Sequence, residues 1–362
     1  MSKRISRRTL LRLGLLGGIL LGLELVRQRT ESVGFDNWLR WNLRGRTAWL
    51  LGTQSPVALT ACPTYQDTRA SLEDAWNLLA QAVPPLRDRT VVVKPNLVDV
   101  LAGRPAHTHP AVVDAVVALC QARGARRVVV ADGSAFQRDA EALVEASGLG
   151  AVLRQRSVAF VDLNTDELVD TPLPGHYTRL GHLLLPRTIV EADLVISVPK
   201  MKCHHWAGVS LSMKNLFGVV PGCKYGWPKN VLHLHNLCLS ILELYEAVRP
   251  GLAVVDGVVG MEGDGPLMGT ARPTGVLVVG CDGVAVDAVA ARVMGFDPAQ
   301  LSYLYLADWV GLGAIEARRI ALRGLSIDAV RQSYEPPPTV SRPGGPAVAC
   351  LPHRVVKVDN LA

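Results

Sequence analysis

Short apolar runs, each closed by a polar or glycine-bearing turn, alternate with helical stretches through most of the chain, and this restricts the fold more than any other feature. Runs at 57–61, 90–94, 127–131, 194–198, 253–256 and 276–280 read as strands. Periodic stretches at 72–83, 111–123, 139–147 and 283–294 read as helices, with Gly124, Gly148 and Gly295 as stops. A continuous apolar run of strand length fits a strand buried on both faces. The alternation therefore predicts an α/β fold, a mostly parallel sheet with helices on both faces, in one or two α/β lobes. Apolar residues at 49% and charged residues at 19% supply a core of that kind. Residues 164–186 are rich in turn formers and predict a small hairpin excursion. The boundaries expected are a leader and linker over 1–50, the α/β domain over 55–330, and an irregular Pro/Gly-rich tail over 331–362.

The net charge of +6 belongs to the N-terminus. Residues 1–46 hold ten Lys/Arg against three acids, which is +7, and the remainder holds 28 against 29, which is −1. A basic patch for nucleic acid is therefore not expected. Ser6-Arg7-Arg8-Thr9-Leu10 resembles a twin-arginine export signature, and the apolar run at 13–23 follows it. Eleven residues fall short of a typical membrane span. The expected partner is the twin-arginine export machinery, which moves folded proteins, and the expected location is outside the cytoplasm. No A-x-A site follows, so an uncleaved leader acting as an anchor is one reading. Trp38, Trp41 and Trp49, interleaved with Arg, suggest contact with a membrane surface.

In open α/β sheets, ligands bind at the carboxyl ends of strands. Several polar groups fall at such ends: Lys94-Pro95-Asn96, Asp132-Gly133-Ser134, Lys200-Met201-Lys202, Asp256-Gly257 and Cys281-Asp282-Gly283. The densest stretch runs from Lys200 through Lys202, Cys203, His204, His205 and Ser210 to Lys214 and Asn215. Lysine is seldom buried without a partner, so lysines gathered in a cleft point to a small anionic ligand such as a carboxylate or phosphate. A helix is expected over 228–248, with His233 near its start and able to face the lysine segment. Asp256-Gly257 and residues 261–266 read as an acidic, glycine-rich loop that holds a metal or positions a lysine. His107 and His109 leave room for a metal but precede a helix as a cap would. Seven cysteines without a CxxC pair argue against a zinc site or an iron–sulfur cluster and leave room for one or two disulfides.

Taken in order, Val93-Lys94-Pro95-Asn96-Leu97, Pro199-Lys200-Met201-Lys202 with His204, Ser212-Met213-Lys214-Asn215-Leu216-Phe217-Gly218, Asp256-Gly257 through Gly265-Pro266, and Val284-Ala285-Val286-Asp287 resemble the family known as domain of unknown function 362. Many of its members carry a ferredoxin-like segment, and the cysteine ladder for it does not occur here. A second pattern is similar to a signature of the nickel-pincer lactate racemase family. It is His204-x-x-Ala207-Gly208-x-Ser210-x-x-x-Lys214, followed by Pro221-Gly222. That resemblance implies a lysine-linked pincer cofactor on Lys214, acid/base work by His204 and metal ligation by His233. Ala135 and Phe136 stand where a second proton-moving histidine would fall, so two-base racemisation is not implied.

The expected enzyme binds a small anion with Lys200, Lys202 and Ser210, and uses His204 and Lys214 for catalysis or cofactor attachment. Lys94, Asn96 and Asp132 line the rim. The alternatives left open are a non-catalytic anion- or metal-binding protein and a redox accessory protein at the membrane face.

Overall fold

In the segment Thr90–Pro95, Val91 and Val93 pack into one core and Val92 into a second, because successive side chains of a strand point to opposite faces. The computed structural model, which describes residues 35–50, 52 and 54–339, repeats this division through a mixed sheet of ten strands. Its main path runs β12 (Ile320–Gly324), β1 (Ser55–Ala61), β11 (Thr270–Gly280), β10 (Leu252–Glu262), β7 (Leu194–Val198), β2 (Thr90–Pro95), β3 (Arg127–Asp132), β4 (Ala159–Asp162). The pairs β10–β7, β7–β2, β2–β3, β3–β4 and β1–β12 are parallel, and β11 runs antiparallel to both β1 and β10.

Helices cover both faces. On one, Thr68–Leu79, Pro110–Ala122, Ala140–Ala146 and Leu149–Arg156 pack Leu72, Val112, Leu143 and Val152 against Val91, Val130 and Leu277. On the other, Leu237–Val248, Gly283–Val293 and Ser302–Trp309 pack Ile241, Val286 and Leu304 against Val92, Val129 and Val278. Each such buried aliphatic chain contributes roughly 1.5–3 kcal/mol, so the two cores hold the sheet from both sides. The fold class expected from the alternation is the one found.

Several elements differ from expectation for local reasons. The stretch expected as one helix over 228–248 is two, Asn230–Leu234 and Leu237–Val248. Asn236 has φ +74°, and its side-chain oxygen accepts from the N–H groups of Cys238 and Leu239, restarting the second helix as an N-cap. The short run at 253–256 begins, and that at 276–280 ends, two eleven-residue strands, β10 and β11, which pair with each other as a hairpin. The excursion at 164–186 is a two-stranded hairpin of β5 (Leu168–Pro172) and β6 (His182–Pro186). The segment expected as a linker contains a helix, Phe35–Leu50, docked on the body: Trp41 donates to Gly175 O, and Arg44 pairs with Glu246 at 2.5 Å. The expected twin-arginine leader, and the part of the expected tail from residue 340 onward, lie outside the described residues. No described helix is long and apolar enough to cross a membrane. Cys62, Cys120, Cys203, Cys223 and Cys281 are free thiols, and Cys350 lies outside the described residues.

Candidate functional site

Six lysines lie among the described residues, and only Lys224 is exposed. Lys94, Lys200, Lys202 and Lys229 are at most 2% accessible, and Lys214 is 9%. Burying an ammonium costs several kcal/mol unless partners replace its water. The partners of each lysine therefore show what it is there to do.

Lys94 and Lys200 are paired. Lys94 ends β2 and donates to Asp132 Oδ1 at 2.6 Å and to Pro95 O at 3.1 Å. Asp132, which ends β3, also accepts from the N–H groups of Leu97 and Gly133. Asn215 returns a donor to Lys94 O and another to Ser197. Gly218 is obligatory beside this pair, because a Cβ there would sit 2.1 Å from Asp132 Oδ1 and 2.6 Å from Lys94 Nζ. Lys200 meets Asp256 Oδ2 at 2.5 Å, Tyr65 Oη at 3.0 Å and Val259 O at 3.1 Å. Asp256 also accepts from His109 N, and the His109 ring stacks on Tyr65 at 3.5 Å. Lys94 and Asp132 are thus a buried junction between strand ends and not an open rim. Lys200, expected to hold a ligand oxygen, is occupied by Asp256. The acidic segment does position a lysine, and that lysine is Lys200. His109 caps the helix Pro110–Ala122, and no group of three His, Cys, Asp or Glu side chains forms a metal-ligand set among the described residues.

Lys202, Lys214 and Lys229 have no carboxylate within salt-bridge distance among the described residues. The dense segment after β7 is a strand hairpin, β8 (Lys200–His204) and β9 (Gly208–Ser210). Its register sets Lys202 opposite Ser210 and His204 opposite Gly208. Lys202 Nζ donates to Asn96 Oδ1 at 2.6 Å and to Ala106 O at 2.8 Å, which leaves one of its three hydrogens. Burial and the charges of Lys214 and Lys200 pull Lys202 down to about 7. Lys214 lies on the short helix Ser212–Asn215, whose N–H groups at Ser212 and Met213 donate to the buried Asp287 at 2.7 and 3.0 Å. Lys214 Nζ has no hydrogen-bond acceptor among the described residues and sits 3.5 Å from the centroid of Phe217. Burial, with Lys94 nearby, pulls Lys214 to about 7 as well.

His204 is buried beside these amines. Its Nδ1 accepts from the N–H groups of Trp206 at 3.1 Å and Ala207 at 3.2 Å. An atom that accepts two backbone donors carries no proton, so the ring proton belongs on Nε2. Burial, and then Lys214, hold the imidazole well below its ordinary value, hence neutral. His204 therefore offers an Nε2–H donor, a different posture from the acid/base role expected of it. From His204 a wall of rings continues through His205 (4.8 Å), Trp206 (4.7 Å) and His233 (5.2 Å) to Phe217 (5.9 Å), on which Lys214 rests. His233 thus faces the lysine segment, and its Nδ1 lies 3.2 Å from Lys229 O.

Lys229 was not singled out by the sequence. It is a non-glycine residue at φ +69°, with Nζ 2.5 Å from Asn164 Oδ1 and 4.8 Å from the centroid of Trp227. It falls at the start of the helix expected over 228–248, apart from the dense lysine stretch at 200–214 that drew attention to the other site residues.

A model of the family described as Domain of unknown function (DUF362) matches residues 91–292. A thylakoid-associated protein of Synechocystis sp. is 30% identical over 234 residues, covering 63% of this chain and 70% of that protein. Two solved structures align at lower similarity. The lactate racemase apoprotein of Thermoanaerobacterium thermosaccharolyticum has a TM-score of 0.39 and 14% identity, over 61% of this chain and 54% of that one. A Thermotoga maritima protein has a TM-score of 0.35 and 15% identity, over 64% and 59%. This chain therefore spans little more than half the length of either structure.

Proposed function

The chain belongs to the DUF362 family, whose matched segment supplies all five buried lysines, and from that cluster we propose that it is an exported enzyme acting on a small anionic substrate held between Lys202, Lys214 and His204. One observation carries the reading. Two lysine amines, Lys202 and Lys214, are buried within electrostatic reach of each other and neither contacts a carboxylate among the described residues, while Lys94 and Lys200 each do. An uncompensated buried cation is a liability in an empty protein and an asset once an anion arrives.

The residues divide the work by their chemistry. Lys202, fixed by Asn96 and Ala106, directs its remaining N–H at a ligand oxygen. His204 donates from Nε2 to a second oxygen. Lys214, titrating near 7, is in part a neutral amine at physiological pH, able to take a proton or attack a carbonyl. Asp287 holds the turn that presents it.

A lysine-linked cofactor fits Lys214 in this respect, because an amine without an acceptor or carboxylate partner is free to be acylated. Such a group, when bound, would supply an electron-accepting centre next to the substrate. A metal fits less well: His233 faces the site, but the described residues bring no complete ligand set to it. The twin-arginine-like leader supports export, and the thylakoid-associated relative supports a position at a membrane face.

Reductive trapping tests the proposal. Glyoxylate with borohydride at pH 7 should convert the Lys214 amine to a secondary amine well before it modifies exposed Lys224. The amine condenses with the aldehyde, water leaves, and hydride reduces the C=N bond. Peptide mapping locates the adduct, and oxalate should slow its formation. Equal labelling of Lys214 and Lys224, or labelling that oxalate leaves untouched, would refute a ligand-facing Lys214.

A further inference from the structure

We infer that Lys229 is a second anchor of the same site, so that the ligand carries two separated anionic groups, one at Lys202 and Lys214 and one at Lys229. This rests on the anion-binding reading above and names the class of substrate within it.

The cluster holds five buried lysines and two carboxylates in direct contact with them, Asp132 and Asp256. Those two account for Lys94 and Lys200. Lys229 has Asp132 and Asp162 within electrostatic reach but contacts neither, so a second anionic group on the ligand would give it the direct partner it lacks. The geometry connects the third unpaired lysine to the other two along two routes. On one, Gly133 N donates to Gly218 O at 3.1 Å, and a Cβ on Gly133 would lie 3.0 Å from Asn164 Oδ1, the acceptor of Lys229. Gly218 in turn abuts Asp132 and Lys94. On the other, His233 sits one turn beyond Lys229 and meets the edge of Phe217, on whose ring Lys214 Nζ rests.

Lys229 is also held as a binding group would be held. Asn164 Oδ1 takes one of its hydrogens and also accepts from Gly222 N at 2.9 Å. The remaining two hydrogens have no acceptor among the described residues. A non-glycine residue with φ +69° is uncommon and persists where the surroundings fix it. A lysine serving only solubility would sit in water, as Lys224 does.

Calorimetric titration of the full chain with acetate, oxalate, malonate, succinate and glutarate tests this, because the series varies only the spacing of two carboxylates. One diacid should bind at least tenfold tighter than acetate. Lys229→Met should bring that ratio to near one, and Lys224→Ala should preserve it. Asn164→Asp gives Lys229 an internal carboxylate without removing it, so it should also abolish the preference, and it serves if Lys229→Met fails to fold. Diacids no tighter than acetate, or a preference that survives both variants, would overturn the second anchor. Acetate binding that persists in Lys214→Met would instead count against the underlying functional reading, so the two failures are distinguishable.

Discussion

Lys94 and Lys200 sit at strand ends with a carboxylate at 2.6 and 2.5 Å, while Lys202, Lys214 and Lys229, in the same buried region, have none. The first two bind strand to strand: Lys94 joins β2 to β3, and Lys200 joins β8 to β10. The other three make few contacts that a fold would need. The same residue type in one cluster thus serves two ends, and the carboxylate tells them apart. A paired lysine is a structural element whose loss leaves an orphaned charge. An unpaired one is a charge the fold retains against its own stability.

The largest expected effect comes from removing the carboxylates. Asp132→Ala and Asp256→Ala each strand a buried ammonium, and each should cost about 3–5 kcal/mol in urea unfolding. The two should be of similar size, because Leu97 and Gly133 lose an acceptor with Asp132, and His109 and Val258 lose one with Asp256. A loss below about 1 kcal/mol in both would mean that the pairs do not anchor the strand ends.

What was legible in the sequence follows from the same division. The strands at 90–94 and 194–198 were readable because their residues are apolar and meet helices on both faces. The hairpin of β10 and β11 was under-read, since Gly257, Gly260, Pro273 and Gly275 look like turns where they are strand. Lys200, Lys202, Lys214 and His204 were found through their density after a buried strand. Which of them was paired was not legible, because Asp256 lies 56 positions from Lys200 and only the sheet brings them together. Lys229 was missed because it falls at the start of an expected helix, apart from the dense stretch at 200–214, and Asn164 joins it from across the fold.

The pH dependence sharpens the contrast. Lys202 and Lys214 fall to about 7 in the folded protein, against about 10.4 unfolded. Between those values the unfolded chain binds more protons, so stability rises with pH; the penalty is complete below about 7 and relieved as pH climbs toward 10. Each lysine should contribute a slope of about 1.4 kcal/mol per pH unit within that window. Thermal unfolding from pH 7 to 9 should show the rise, and saturating oxalate should flatten it by keeping the amines charged at little cost. A ligand-free profile that is flat or falling would remove the distinction between the two groups.

Gly218→Ala is expected to have an intermediate effect. The new methyl would enter the space of Asp132 Oδ1 and Lys94 Nζ, both of which are already fixed by backbone partners. Overpacking of this kind costs about 1–3 kcal/mol, measurable as a lower urea midpoint with an unchanged slope. Because the damage falls on the paired lysine, anion affinity at Lys214 should change far less than stability.

The smallest loss of stability should come from the lysines that look most alarming. Lys214→Met retains most of the side-chain volume, keeps contact with Phe217 and deletes a buried charge that has no acceptor. Replacing a buried charge by an apolar chain of similar shape is often neutral or stabilising. Unfolding at pH 7 should therefore stay unchanged or move toward greater stability, by up to about 1–4 kcal/mol, while anion binding is lost. If Lys214→Met instead destabilised the protein as strongly as Asp132→Ala, Lys214 would belong with the structural lysines, and its lack of a carboxylate would have to be explained by something other than a ligand.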